Sequence, residues 1–201
     1  HVPEFGPKTL KKIREHFGNF QSAWRAEVRT YLQIPQLDKK SILSLEKIKS
    51  EIDPEKEFKN LNKEGINILL KDELPLPLRE TPAPPEVLYV KGSLPDETIN
   101  HLAIVGTRRY STYGEEACTT IIEGLSGHPF VIVSGLAKGI DSFSHVAALK
   151  NGLKTIAVLG SGISPRSLFP KENKRLADKI AAGGGAVVSE YPYEMKANVN
   201  T

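Results

Sequence analysis

Sulfur is scarce in this chain: 201 residues hold one Cys and one Met. A lone thiol closes no internal disulfide, so the fold must rest on an ordinary apolar core, and a reducing compartment, the cytoplasm, is the expected setting. Long hydrophobic runs are missing as well. Nothing approaches the roughly 20 apolar residues that a membrane helix needs, so no membrane partner is expected. Charge of one sign is also lacking, because 27 Lys and Arg stand against 24 Asp and Glu, a net +3 spread over both halves. Without a basic tail, any anion site must be local. The only Met is Met195, so His1 reads as an internal residue of a longer protein.

What is present is globular in texture, with 39% hydrophobic and 25% charged residues, which excludes collagen-like and mostly disordered classes. From Pro7 to about Glu64 the apolar spacing is helical: Leu10, Ile13 and Phe17 share one face, and Ile42, Leu45 and Ile48 share another. Pro7 suits a first helical turn, Gly18 and Gly65 suit helix ends, and Asp53 before Pro54 reads as an N-cap. Four or five short helices are predicted over 1–64, with Phe20, Trp24, Tyr31 and Phe58 as core.

From Ile66 the texture changes. Ile66–Leu70 is an apolar run, and a stretch with Pro75, Pro77, Pro82, Pro84 and Pro85 follows as an extended connection. Apolar runs then recur at Val87–Val90, Leu102–Val105, Phe130–Val133, Thr155–Leu159 and Ala186–Val188, with amphipathic segments between most of them. That alternation predicts an α/β unit over 65–201. The runs are apolar throughout rather than alternating, so both sheet faces should be covered, as in a doubly wound, mostly parallel sheet.

Ligands of such sheets sit beyond the carboxyl ends of the strands. Three of those turns look alike: Gly106-Thr107-Arg108-Arg109, Ser134-Gly135-Leu136-Ala137-Lys138-Gly139, and Gly160-Ser161-Gly162. Glycines admit close backbone approach, hydroxyls donate, and helix N-termini offer unpaired N–H groups to an anion. Arg108, Arg109, Lys138 and Lys171 add positive charge. Each alone reads as a solvated surface cation; together at strand ends they describe a phosphate pocket. For Ser134 and Gly135 an ordinary tight turn fits equally well.

The common cofactor signatures fail. Pro165 stands where the dinucleotide motif needs its third Gly, and no Gly-Lys-Ser or Gly-Lys-Thr occurs, so no cofactor is expected. His1, His16, His101, His128 and His145 have no partners at metal-ligand spacing, so no metal is expected either. Cys118 lies on an apolar helix face and reads as core. Asp141 and His145, four apart, could do acid and base work, but Asp141 reads better as a helix cap and His145 as a packed side chain. No nucleophile elbow is present, and no catalytic residue is assigned.

The same residues resemble the bacterial DNA-processing protein A family (DprA, also called Smf). The likeness runs through Pro85–Gly92, Ile104-Val105-Gly106-Thr107-Arg108, Ser134–Asp141 with His145, Gly160-Ser161-Gly162, Phe169-Pro170-Lys171-Glu172-Asn173 and Ser189-Glu190-Tyr191-Pro192. It implies an extended Rossmann-like domain preceded by a SAM-like, helix-hairpin-helix module. It also implies a non-enzymatic protein that binds single-stranded DNA, loads the RecA recombinase in natural transformation, and forms a homodimer when full length. Carried over, the resemblance puts Arg108, Lys138 and Lys171 on phosphates, with Gly106, Thr107, Ser134, Gly135, Gly139, Gly160, Ser161 and Gly162 around them. Phe169 either stacks a base or packs beneath its loop. Asp141, His145, Asn173 and Glu190 would support the pocket. Glu4 replaces the first Gly of the hairpin motif, so the helical module is expected to add little DNA affinity. The family's Phe-Pro-x-Arg-Asn-Arg element would follow Thr201. The competing reading is a nucleotide-processing enzyme of the lysine-decarboxylase-like phosphoribohydrolase type, whose Pro-Gly-Gly-x-Gly-Thr signature is only faintly echoed by Gly183-Gly184-Gly185.

Overall fold

The computed structural model describes Val2 and residues 4–197. Helix α1 (Pro7–Phe17) opens on its proline and stops at Gly18, whose φ of 81° is one that a side chain would resist. Helices α2 (Phe20–Arg25), α3 (Lys39–Glu51) and α4 (Pro54–Lys63) follow, each capped by the side chain before it. Asn19 accepts from Ser22 N at 2.7 Å, Asp38 from Ser41 N at 2.7 Å and Asp53 from Glu55 N at 3.0 Å. Helices α1 to α3 enclose Phe5, Leu10, Ile13, Ala23, Tyr31 and Leu45. Tyr31 is buried and its hydroxyl donates to the Ala23 carbonyl at 2.6 Å. Phe58 departs from the expected core. Helix α4 buries Leu61, in its last turn, against the sheet, and Phe58, one turn earlier, stays half exposed.

The sheet holds β1 (Ile66–Leu70), β2 (Val87–Gly92), β3 (Asn100–Ala103), β4 (Phe130–Ser134), β5 (Lys154–Val158) and β6 (Ala186–Ser189), in the order β1-β2-β6-β5-β4-β3. The run β6-β5-β4-β3 is parallel, while β1 and β2 are antiparallel additions at one side. This is the expected α/β architecture with a mostly parallel sheet. The proline-rich connection holds one short helix, α5 (Leu76–Arg79), and buries Leu74 against the sheet.

Helices α6 (Thr112–Glu123), α7 (Ile140–Lys150) and α8 (Lys174–Ala182) link consecutive parallel strands. Because β3 to β6 are laid down in one direction, right-handed crossovers carry all three helices to the same face. There Ile132 packs with Cys118, Ile122 and Ala148, and Ala157 and Val187 pack with Ala177 and Ile180. In a doubly wound sheet the second face would also carry helices. Among the described residues that face, formed by Leu88, Val90, Val131, Ile156 and Val188, is packed in part by Leu74, Leu94 and Ile99 from connections, and beside them Leu88, Ile156 and Val188 line an apolar cavity. Strands apolar on both sides are thus explained by two coverings of different kinds.

Candidate functional site

The three turns singled out above leave the carboxyl ends of β3, β4 and β5, which are neighbours in the sheet. The first two interlock. A Cβ on Gly139 would lie 2.3 Å from the Thr107 carbonyl oxygen and 3.1 Å from Arg108 Cα, and Gly139 has a φ of 86°. Only glycine satisfies both demands. From the other side, a Cβ on Gly106 would strike Ile140 at 2.7 Å, while Ile140 N donates to the Thr107 carbonyl at 3.4 Å.

Asp141 holds this junction. It is buried, its Oδ1 accepts from Gly106 N at 3.3 Å, and its Oδ2 lies 2.7 Å from where a Gly135 Cβ would stand. The N-cap of α7 is Gly139, so the cap expected of Asp141 is corrected: its carboxylate braces the first turn against the second from inside the helix's first turn. Arg108 and Arg109 are exposed, and neither has an ion-pair partner among the described residues. The Thr107 hydroxyl is used within its own turn, accepting from Arg109 N at 3.0 Å and donating to the Arg109 carbonyl at 3.1 Å.

The second turn is tied to the segment before α8. Leu136 is fully buried with a φ of 55°, a strained conformation for a branched side chain, and its carbonyl accepts from Asn173 Nδ2 at 2.8 Å. Asn173 also reaches Ser142 Oγ at 2.8 Å. Beside it, Lys138 Nζ meets Glu172 Oε1 at 2.9 Å, and that hydrogen bond holds the Glu172 carboxyl below the usual carboxylate range. Lys138 therefore stands with a carboxylate already beside it. Lys171 is exposed on the adjoining 3-10 turn, and Phe169 is half exposed next to buried Leu168.

Three expected ligand contacts, Ser134, Ser161 and Gly162, are redirected by burial. Ser134 shares the helix-facing side of β4 with Ile132, is 3% exposed, and leaves its hydroxyl inside the fold. Ser161 is 1% exposed, and its hydroxyl donates to the Gly162 carbonyl. Gly162 N donates to the Met195 carbonyl at 2.6 Å, and its α-carbon faces the Pro192 and Tyr193 carbonyls. The third turn thus turns toward the 189–195 segment, and only Gly160 keeps open space around it. Glu190 makes no hydrogen bond among the described residues, and partial burial raises its carboxyl.

His145 is fully buried. Thr155 Oγ1 donates to the Ile132 carbonyl at 2.7 Å, so at 2.7 Å from His145 Nδ1 it must accept. That assigns the imidazole proton to Nδ1, and Nε2 has no hydrogen bond among the described residues. Burial pushes the ring's pKa down to about 4, against a smaller upward pull from the Ser134 backbone. The group supports the β4–α7–β5 packing and is sealed from solvent. The phosphoribohydrolase reading finds no geometry here: Gly183-Gly184-Gly185 leads into β6, at the end of the sheet opposite the three turns. Gly185 packs where a Cβ would meet the Thr155 carbonyl oxygen at 2.1 Å.

A family model, DNA recombination-mediator protein A, matches residues 66–201, the whole sheet and all three turns. The chain belongs to that family. Protein Smf of Synechocystis sp. is 33% identical over 201 residues, covering 97% of this chain and 50% of its own length. DNA processing protein DprA of Streptococcus pneumoniae is 45% identical over 123 residues, covering 61% of this chain and 42% of its own. The chain therefore spans about half the length of the curated family members it matches. The X-ray structure of the Streptococcus pneumoniae DprA superposes with a TM-score of 0.74 at 31% identity, over 98% of this chain and 67% of that one, helical segment included. A Helicobacter pylori DprA, whose structure is described for its single-stranded DNA binding mode, superposes at 0.55 with 27% identity, over 67% of this chain and 59% of that one. Among the described residues no helix is long and apolar enough to cross a membrane.

Two residues beside the turns lie outside the sequence expectations: Glu172, the partner of Lys138, and Tyr110, at the edge of the first turn. The first is 34 residues from its partner, and no local pattern signals such a pair. The second had a local signal, an aromatic directly after two arginines.

Proposed function

We propose that this chain binds single-stranded DNA by its phosphates at the joined carboxyl ends of β3 and β4, as a mediator that hands the strand to RecA during natural transformation. The observation that supports it is the Gly139–Thr107 contact, which brings unpaired Arg108 and Arg109 onto the same rim as Lys138. Arg108 and Lys138 take the phosphates, the latter by exchanging Glu172 for the ligand, and Lys171 and Gly160 border the path. Gly106, Gly135, Asp141 and Asn173 set the backbone of the cradle, while Ser134, Ser161, Gly162 and His145 support it from within. Residues 1–64 form the attached helical module, the protein works in the cytoplasm without a catalytic step, and dimerisation belongs to the full-length protein.

Counterion release supplies the test. Fluorescence anisotropy of a dT oligonucleotide across salt concentrations should give a linear log-affinity plot. Replacing Arg108 and Lys138 by Ala should flatten it by about 0.7 per lost phosphate contact on a single strand. An unchanged slope, or a preference for duplex, overturns the assignment.

A further inference from the structure

Tyr110 lies two residues beyond Arg108, where the first turn runs toward α6. Its ring stands edge to face on Phe143, with centroids 4.6 Å apart and an interplanar angle of 83°. Phe143 belongs to the first full turn of α7, and its N–H bonds the carbonyl of Gly139, the residue that packs against Arg108. The phenol ring is thus fixed over the same seam that joins the two turns. The residue as a whole is 49% exposed. Phe143 is itself partly buried with Cys118, Ile122 and Ile140, so the support under the ring is anchored in the core.

An aromatic ring held in place by an edge-to-face contact loses little freedom when something stacks on its free side. An exposed aromatic next to unpaired cations is also the pairing that single-strand binders use, with charge for the backbone and a ring for the base. We infer that Tyr110 is a stacking platform for one nucleobase of the strand whose phosphate is held by Arg108, and that Phe143 is its positioning residue. The inference rests on the proposed single-strand reading and deepens it. It assigns a base contact to a rim that otherwise reads only phosphate. Tyr113, 79% exposed in the first turn of α6, extends the same aromatic edge.

The test separates base from phosphate. Anisotropy titrations compare a dT oligonucleotide with an abasic strand of equal length, at two salt concentrations, using the whole chain. The native protein should prefer dT by about tenfold, within the range of one stacked base. Tyr110→Ala should cut that preference at least threefold while leaving the abasic affinity and the salt slope unchanged. Tyr110→Phe should keep the preference, since stacking needs the ring and not the hydroxyl. Tyr110→Trp should keep it as well and should add an indole fluorescence that dT quenches and the abasic strand does not. Thermal unfolding of each variant near the native midpoint excludes misfolding, and the Phe and Trp variants decide the matter should the Ala variant unfold. If Tyr110→Ala keeps the native ratio of dT to abasic affinity, or the indole signal added by Tyr110→Trp ignores dT, the platform is overturned while phosphate binding stands. If the native protein binds neither strand, the single-strand reading itself falls.

Discussion

His145 shows how one side chain near the site couples the fold to pH. Its ring is dry and neutral, with a folded pKa of about 4 against an ordinary 6.5, because burial penalises the imidazolium. As pH falls below 6.5 the unfolded chain takes up a proton that the folded chain refuses until about pH 4. Stability is therefore complete above 6.5, declines between 6.5 and 4, and levels off below. The loss attributable to this group is about 3 kcal/mol over that window. His145→Gln can keep the bond to Thr155 and cannot titrate. In urea unfolding from about pH 7 to about pH 4, the native chain should lose about 3 kcal/mol more than the variant, and parallel profiles would refute this. His145 was legible in the sequence as a packed side chain, and no metal-ligand spacing competed with that reading. The orientation of Ser134 was not legible, because one step along a strand decides whether a hydroxyl meets α7 or the opposite face.

At the scale of elements, the strands were readable within about two residues, since buried parallel strands are continuous apolar runs bounded by glycine. Ile66–Leu70 was read with its observed bounds, whereas β3 begins at Asn100, two residues before the apolar run at Leu102. There, exposed Asn100 and His101 pair with Phe130 and Val131 through backbone alone, which side-chain patterning does not record. The cradle's first two turns were legible from their glycines. The third misled, because its Gly-Ser-Gly has the same texture but closes on 189–195, a contact set by tertiary structure. The link between the second turn and the α8 approach was half visible, through Asn173 and not through Glu172. That link predicts competition: a phosphate reaching Lys138 must displace the Glu172 carboxylate. Glu172→Gln should tighten single-strand binding severalfold at low salt, and Lys138→Ala should abolish that gain. A gain that persists without Lys138 would mean that Glu172 acts only as a diffuse negative charge.

Across the whole molecule, the helical segment is joined to the sheet by an ion cluster that no linear pattern announces. Arg14 of α1 reaches Asp72 at 2.6 Å and the buried Glu86 at 3.2 Å, while Lys71 approaches Glu86 at 3.6 Å. Glu86 directly precedes β2, 72 residues from Arg14, so the pair spans both parts of the chain. Its energetics differ from those of the exposed pair Lys11–Glu15, because Glu86 is only 4% exposed and would be stranded without its partner. Arg14→Met keeps the aliphatic length and removes the charge. It should cost about 2 kcal/mol in urea unfolding, less than a fully buried pair because Lys71 remains nearby and Arg14 itself is a quarter exposed. Adding Glu86→Gln removes the stranded carboxylate and should recover part of that loss, whereas Lys11→Met should cost almost nothing. Two independent and additive losses would show that Arg14 and Glu86 do not act as a pair. A coupling between them would show that the angle at which the helical segment meets the sheet is held by charge as well as by the packing of Val87 against its core.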